Sequence, residues 1–154
     1  MMMKLYLILA FFILGTSPAL AGDLFVRDGD SFVLNGQEIR LWGIDAPEYH
    51  QSCYQGSKSV PCGKYARQRL ENLLKDEKLS CARVNTDRYK RTVARCYVRG
   101  QDVAALMVGS GFAFDYTRYS RGAYSEHQKA AKSERRGLWS MDFEMPWNWK
   151  KTKR

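Results

Sequence analysis

Histidine is nearly absent from this chain. His50 and His127 are the only two among 154 residues, and neither sits in a nucleophile motif. That argues against chemistry centred on an imidazole base, and both read as surface or loop residues. A zinc site built on His50, Cys53 and Cys62 lacks a fourth ligand. Long apolar runs are also lacking. The single run, Leu5–Leu14, is short for a membrane-spanning helix, and Gly15, Ser17 and Pro18 interrupt it. No internal repeat and no long linker divides the sequence, so its length accommodates one domain. Acidic residues are scarce: 16 against 25 lysines and arginines, a formal net charge of +9. Such an excess directs a domain toward polyanions, whether nucleic acid, anionic lipid or acidic polysaccharide.

What is present begins with an export signal. A short basic start is followed by the apolar run and then by Ala19-Leu20-Ala21, which offers small residues where a signal peptidase reads. Residues 1–21 are expected to be a signal peptide, cleaved after Ala21 rather than kept as an anchor. The mature chain then holds a domain over residues 22–145 and a basic, tryptophan-containing tail over 146–154.

All four cysteines lie beyond the signal, which in an exported chain argues for disulfides. Three pairings are possible. If the turn-like segment 86–91 closes a hairpin, Cys81 and Cys96 face each other across it. Cys53 is then left with Cys62, closing a short loop.

The pattern along the chain is strand-rich at first. Leu24–Val26 reads as a strand and Asp28-Gly29 as a turn. Ser31–Leu34 and Gln37–Ile44 flank Asn35-Gly36, the strongest two-residue hairpin signal. Residues 49–61 read as a loop. Ala66, Leu70, Leu73 and Leu74 recur at helical spacing over 62–75. Two strands follow, over 79–85 and 92–99. Asp102 caps a short helix over 103–108, 112–116 is extended, and 124–135 forms a polar helix that Gly137 stops. The layout is α+β or mainly β, and five short strands suffice for a small closed barrel.

Three phrases carry the chemistry: Asp28-Gly29-Asp30-Ser31, Arg40-Leu41-Trp42-Gly43-Ile44-Asp45-Ala46-Pro47-Glu48 and Thr86-Asp87-Arg88-Tyr89-Lys90-Arg91. Asp30, Asp45 and Glu48 offer oxygen ligands of the kind a hard divalent cation takes. Arg40 and Arg91 offer planar guanidinium groups that match phosphate oxygens. Taken singly, each residue has an ordinary explanation as a turn or solvated strand charge, and Asp28 reads as a turn residue. A strict turn at Asn35-Gly36 pairs Ser31 with Arg40. It brings Asp30 and Arg40 to one end of the hairpin but on opposite faces, so a bulge or a twist at the strand end is needed to converge them.

In this order and spacing the phrases resemble the staphylococcal (micrococcal) nuclease family of thermonuclease-like domains. The resemblance runs from about Leu24 to Trp139 and includes Gly137-Leu138-Trp139. It implies an OB-fold, a five-stranded barrel with about three helices, and a Ca²⁺-dependent phosphodiesterase acting on DNA and RNA with little sequence preference and leaving 3′-phosphate ends. By that resemblance Asp30, Asp45 and the backbone carbonyl of Ala46 hold calcium, and Glu48 is the general base. Arg40 and Arg91 bind the scissile phosphate, and Tyr89 and Lys90 lie near the nucleotide. Lys90 departs from the family's usual glycine, and a lysine at positive φ there costs about 1 kcal/mol or somewhat more. The implied protein is a monomer, secreted or periplasmic, with no stable protein partner and no membrane contact after cleavage. Two rivals remain: a non-catalytic OB-fold module that binds nucleic acid or another polyanion, and a membrane adaptor using the tail. Trp147, Trp149 and the tail lysines would grip nucleic acid or a membrane, or pack back on the domain.

Overall fold

Asn35 and Gly36 both adopt left-handed backbone, with φ of 51° and 77°. A two-residue hairpin turn matched to strand twist demands that conformation. The turn joins β2 to β3 within a run of four strands: β1 (Leu24–Asp28), β2 (Ser31–Leu34), β3 (Gln37–Leu41) and β4 (Ile44–Asp45). In this computed structural model, which describes residues 23–75 and 78–153, the β2–β3 register pairs Ser31 with Arg40 and Leu34 with Gln37. The expected signal peptide lies outside the described residues. Gly43, at φ 76°, breaks the strand that the sequence pattern extends through Ile44, so β3 and β4 are separate.

The segment expected to be a loop holds a small hairpin, β5 (Cys53–Gln55) with β6 (Lys58–Val60). The Cys53–Cys62 disulfide closes it against the start of α1 (Cys62–Leu74). Next come β7 (Leu79–Thr86) and β8 (Thr92–Val98), antiparallel, with Cys81 opposite Cys96 and bonded to it. β9 (Gln101–Asp102) leads into α2 (Val103–Gly109), where Asp102 Oδ1 accepts from the Ala104 N–H at 2.8 Å. The chain then forms β10 (Phe114–Asp115), α3 (Thr117–Ser120), α4 (Ser125–Ser133), a 3₁₀ turn over Gly137–Ser140, and α5 (Pro146–Thr152).

The main sheet runs β1-β2-β3-β8-β7, with β9 on β8 and the β3–β8 pairing parallel. The architecture is α+β, as expected. The five-strand path matches the expected strand count, and no hydrogen-bonded pairing among the described residues joins β1 to β7 to close it into a barrel. Five α-helices stand among the described residues, against about three expected. One is α3, a single turn, and another is α5, built from the tail.

Two apolar clusters hold these parts together. The larger unites the inner sheet face (Val26, Phe32, Ile39, Leu41, Ala94, Val98) with Leu70 and Leu74 of α1 and Met107 and Val108 of α2. Burying residues of this size contributes about 1.5–3 kcal/mol each. The smaller gathers Cys53, Val60, Cys62, Phe114 and Leu138, with Trp139, Phe143 and Trp147 half-buried around them. Trp147 stacks on Tyr116 with ring centroids 5.3 Å apart and planes 6° from parallel. The tail therefore packs its first tryptophan on the domain.

Candidate active site

The carboxylates converge where β1, β2, β3 and β4 meet. Asp30 lies in the turn between β1 and β2 rather than on a strand, and the β1–β2 register shifts between Val26 and Asp28. The pleat's alternation therefore does not govern Asp30. The opposite-face placement inferred from strict pairing gives way, and Asp30 reaches Arg40. Arg40 Nη1 lies 3.0 Å from Asp30 Oδ1, and Arg40 Nη2 lies 2.9 Å from Asp45 Oδ1. Asp30 Oδ2 accepts from the buried Ala46 N–H at 3.0 Å. The contact that Ala46 makes to the cluster is thus through its N–H.

The row continues. Asp45 Oδ1 also receives Lys150 Nζ, at 2.6 Å, and the same ammonium lies 2.8 Å from Glu48 Oε1. Acid and base alternate along it: Asp30, Arg40, Asp45, Lys150, Glu48. Asp30 and Asp45 are almost fully buried, at 2% and 1% exposure, whereas the Glu48 side chain is 36% exposed. Asp28 stands beside the row. Its Oδ1 accepts from Ser31 Oγ at 2.7 Å and from the Asp30 N–H at 3.2 Å.

Burial and repulsion sort the protons. Burial, with the Asp30 and Glu48 charges behind it, raises Asp28 to about 7. Burial alone would raise Asp30 as well, but Arg40, Lys150 and the Ala46 N–H outweigh it and hold Asp30 below its ordinary value. Asp45 is pushed up to about 6 by burial and by Asp30, against the pull of Lys150 and Arg40. For Arg40 and Lys150, burial disfavours the charge, but the surrounding carboxylates more than restore it, so both are held firmly cationic.

Glu48 is positioned by its neighbours in the loop. Its carbonyl accepts from the Gln51 N–H at 2.8 Å, and Gly63 at the start of α1 donates to the Gln51 carbonyl at 3.0 Å. Gln51 Nε2 in turn donates to the Glu144 carbonyl at 2.8 Å. The loop is clamped between the N-terminal end of α1 and the segment leading into α5.

Arg91 bonds to Asp87 on the β7–β8 turn. Asp87 organises its turn by accepting from the Tyr89 and Arg91 N–H groups, at 2.9 and 3.0 Å, and from Arg91 Nε at 2.8 Å. Lys90 takes the left-handed conformation there, at φ 66°. Tyr89 is exposed at the tip, with the Arg88 and Arg91 guanidinium groups 4.8 and 5.5 Å from its ring centre. The β3–β8 pairing sets Val93 beside Arg40, so Arg91 lies two residues from Arg40's partner on the adjacent strand. The structure thus gathers Asp30, Arg40, Asp45, Ala46 and Glu48, and keeps Tyr89, Lys90 and Arg91 on a neighbouring turn.

Three participants escape the sequence reading. Asp28 had a signal, a second carboxylate across one glycine. Gly63 had none beyond its place at a helix start. Lys150 had none at all, since its partners lie about a hundred positions away.

Among the described residues no group of three or more His, Cys, Asp or Glu side chains stands close enough together to hold a metal ion. The donor chemistry nonetheless fits a hard divalent cation. The acids offer only oxygen, and the Lys150 ammonium already stands as a cation between Asp45 and Glu48. No helix among the described residues is long and apolar enough to cross a membrane.

Similarity to known proteins identifies the family of the chain. The model of the family described as staphylococcal nuclease homologue matches residues 38–141. A micrococcal nuclease of Shigella flexneri is 32% identical over 143 residues, covering 82% of this chain and 77% of its own. A protein of Escherichia coli O157:H7 named as an uncharacterized endonuclease is 30% identical over 163 residues, covering 98% of this chain and all of its own. An uncharacterized 38.1 kDa protein of Capnoides sempervirens is 38% identical over 118 residues, 75% of this chain. The chain spans only 32% of the length of that last relative. The chain belongs to the staphylococcal nuclease homologue family.

Proposed function

We propose that the protein is an exported, Ca²⁺-dependent nuclease that hydrolyses phosphodiester bonds of DNA and RNA with little sequence preference and leaves 3′-phosphate ends. The observation that carries this reading is the buried Asp30–Arg40–Asp45 arrangement with the accessible Glu48 beside it, in a strongly basic domain of this family.

Asp30, Asp45 and the Ala46 carbonyl would hold the calcium ion. When bound, that ion offsets charge on the phosphate and positions water. Glu48, the most exposed acid of the row, takes a proton from the attacking water. The water oxygen bonds to phosphorus, the P–O5′ bond breaks, and O5′ leaves with a proton from solvent. Arg40 has five N–H donors, three of them on Asp30, Asp45 and the Ile44 carbonyl, so two remain for a phosphate oxygen. Arg91 uses Nε and Nη2 on Asp87 and presents Nη1. Tyr89 and Lys90 flank the nucleotide. These groups meet phosphate rather than base edges, and weak sequence preference follows.

Export is supported by the signal-like start of the sequence and by two disulfides in a chain of this size. The product is a secreted or periplasmic monomer whose mature domain starts near residue 22.

The test is nicking of supercoiled plasmid with Ca²⁺ and with EDTA, with analysis of the product ends. Nicking that needs Ca²⁺ and yields 3′-phosphates is expected. Glu48→Gln should lose about 10²–10⁴ in turnover while still binding DNA. If plasmid stays supercoiled with Ca²⁺ while the protein retards it on a gel, the domain is a polyanion-binding module instead.

A further inference from the structure

The Lys150 ammonium sits between two carboxylates that the proposed function assigns to metal and base, and it arrives from the far end of the chain. Three features make this a built contact. Pro146 is buried, and Trp147 stacks on Tyr116 and meets the Phe114 ring edge-on at 6.3 Å, so α5 is anchored at its start. Lys150 follows Trp147 by three residues, which puts both on one helix face. The other described lysines of this helix end behave differently. Lys151 is exposed, and Lys153 lies over the Trp149 ring at 5.9 Å. One lysine is aimed into the site and its neighbours are not.

We infer that Lys150 is a tethered cation that a divalent metal ion must displace, so that α5 sets the metal affinity of the active site. This rests on the metal-dependent reading above. Calcium bonds carboxylate oxygens at about 2.3–2.6 Å. Asp45 Oδ1 and Glu48 Oε1 hold Lys150 Nζ at 2.6 and 2.8 Å, so an ion on Asp45 Oδ1 would meet the ammonium at close range. Like charges so placed repel, and the two occupants exclude each other. The four-carbon stem of lysine lets Nζ withdraw while Pro146 and Trp147 keep α5 docked. Without metal, the lysine spares Asp45 and Glu48 an unbalanced repulsion.

The test measures Ca²⁺ binding calorimetrically on the purified protein, its Lys150→Met and Lys150→Gln variants, and Lys151→Met as the control for a lost surface charge. Lys150→Met and Lys150→Gln should bind Ca²⁺ about tenfold tighter or more, because two charge-assisted contacts no longer have to break. Their melting temperatures should fall in EDTA and recover with Ca²⁺, and a variant that fails to fold leaves the other to decide. Lys151→Met should stay within about twofold of wild type. Unchanged or weaker affinity in both Lys150 variants, or an equal gain in Lys151→Met, overturns the lysine's role and leaves the metal-dependent reading standing. No Ca²⁺ binding by any of the four proteins overturns both.

Discussion

Gly63→Ala should disable Glu48 without touching it. Gly63 is the second residue of α1 and has ordinary helical backbone, so an alanine there carries no conformational penalty. The obstacle is space. A Cβ on Gly63 would stand 1.8 Å from the Glu48 carbonyl oxygen, 2.7 Å from its carbonyl carbon and 2.8 Å from the Tyr49 carbonyl oxygen. All three are main-chain atoms, so no side chain can rotate away. Relief to ordinary contact moves the Glu48 backbone by about an ångström or more, and a misplacement of that size costs about 10² in rate. The Gln51 and Gly63 hydrogen bonds make residues 48–51 move as a unit, and overpacking should lower stability by about 1–3 kcal/mol. The assay pairs initial nicking rates at saturating Ca²⁺ with urea unfolding. Gly109→Ala is the control: its nearest neighbour is His127 Nδ1 at 3.8 Å, and alanine in a helix there should be neutral or add about 0.5–1 kcal/mol. If Gly63→Ala loses stability but keeps wild-type turnover, the helix does not position Glu48 and the reasoning fails.

Two further predictions concern stability. Folding holds Asp28 protonated to about pH 7 against an ordinary 3.8, so between those values the folded protein keeps a proton that the unfolded chain has released. That contribution is complete below about pH 4 and is lost as the pH rises through 7. Urea unfolding in EDTA should therefore show a decline from pH 4 to 7 that is shallower in Asp28→Asn, and identical slopes would refute it. Replacing both Cys81 and Cys96 by serine opens a cross-link with a sequence separation of 15 and should cost about 3 kcal/mol, read as a lower urea midpoint with m rising as the unfolded chain expands. An unmoved midpoint would show that β7 and β8 need no staple.

Local signals carried most of the fold because local forces make it. Asn35-Gly36 dictates both the turn and the Ser31–Arg40 register, and the spacing of Ala66, Leu70 and Leu74 makes one buried stripe on α1. What escaped was non-local or irregular. The β5–β6 hairpin has strands of only three residues, each with one buried residue, Cys53 or Val60, too few for an alternation to mark, and a disulfide closes it. The convergence of Asp30 and Arg40 depends on a register shift in β1 that the pleat rule cannot encode. Lys150 is the extreme case. Its address is written in Pro146, Trp147, Phe114 and Tyr116, whose pairing exists only once the second apolar cluster has formed.

That late-arriving lysine also explains how the row can be both buried and receptive. With Asp28 protonated, three carboxylates face two bases, and one negative charge is left over in a row whose Asp30 and Asp45 are almost fully buried. Arg40 cannot relieve it further, since it already bridges Asp30 and Asp45 and is fixed on β3. Lys150 is the exchangeable member of the proposal: Asp45 and Glu48 hold its ammonium at the rim, where its side chain is 28% exposed. Replacing its single charge by a divalent one cancels the excess while leaving Arg40 in place. On the metal-dependent reading proposed above, the residual charge would supply a drive for metal entry, and the lysine would keep the metal-free fold from meeting the full repulsion of its own carboxylates.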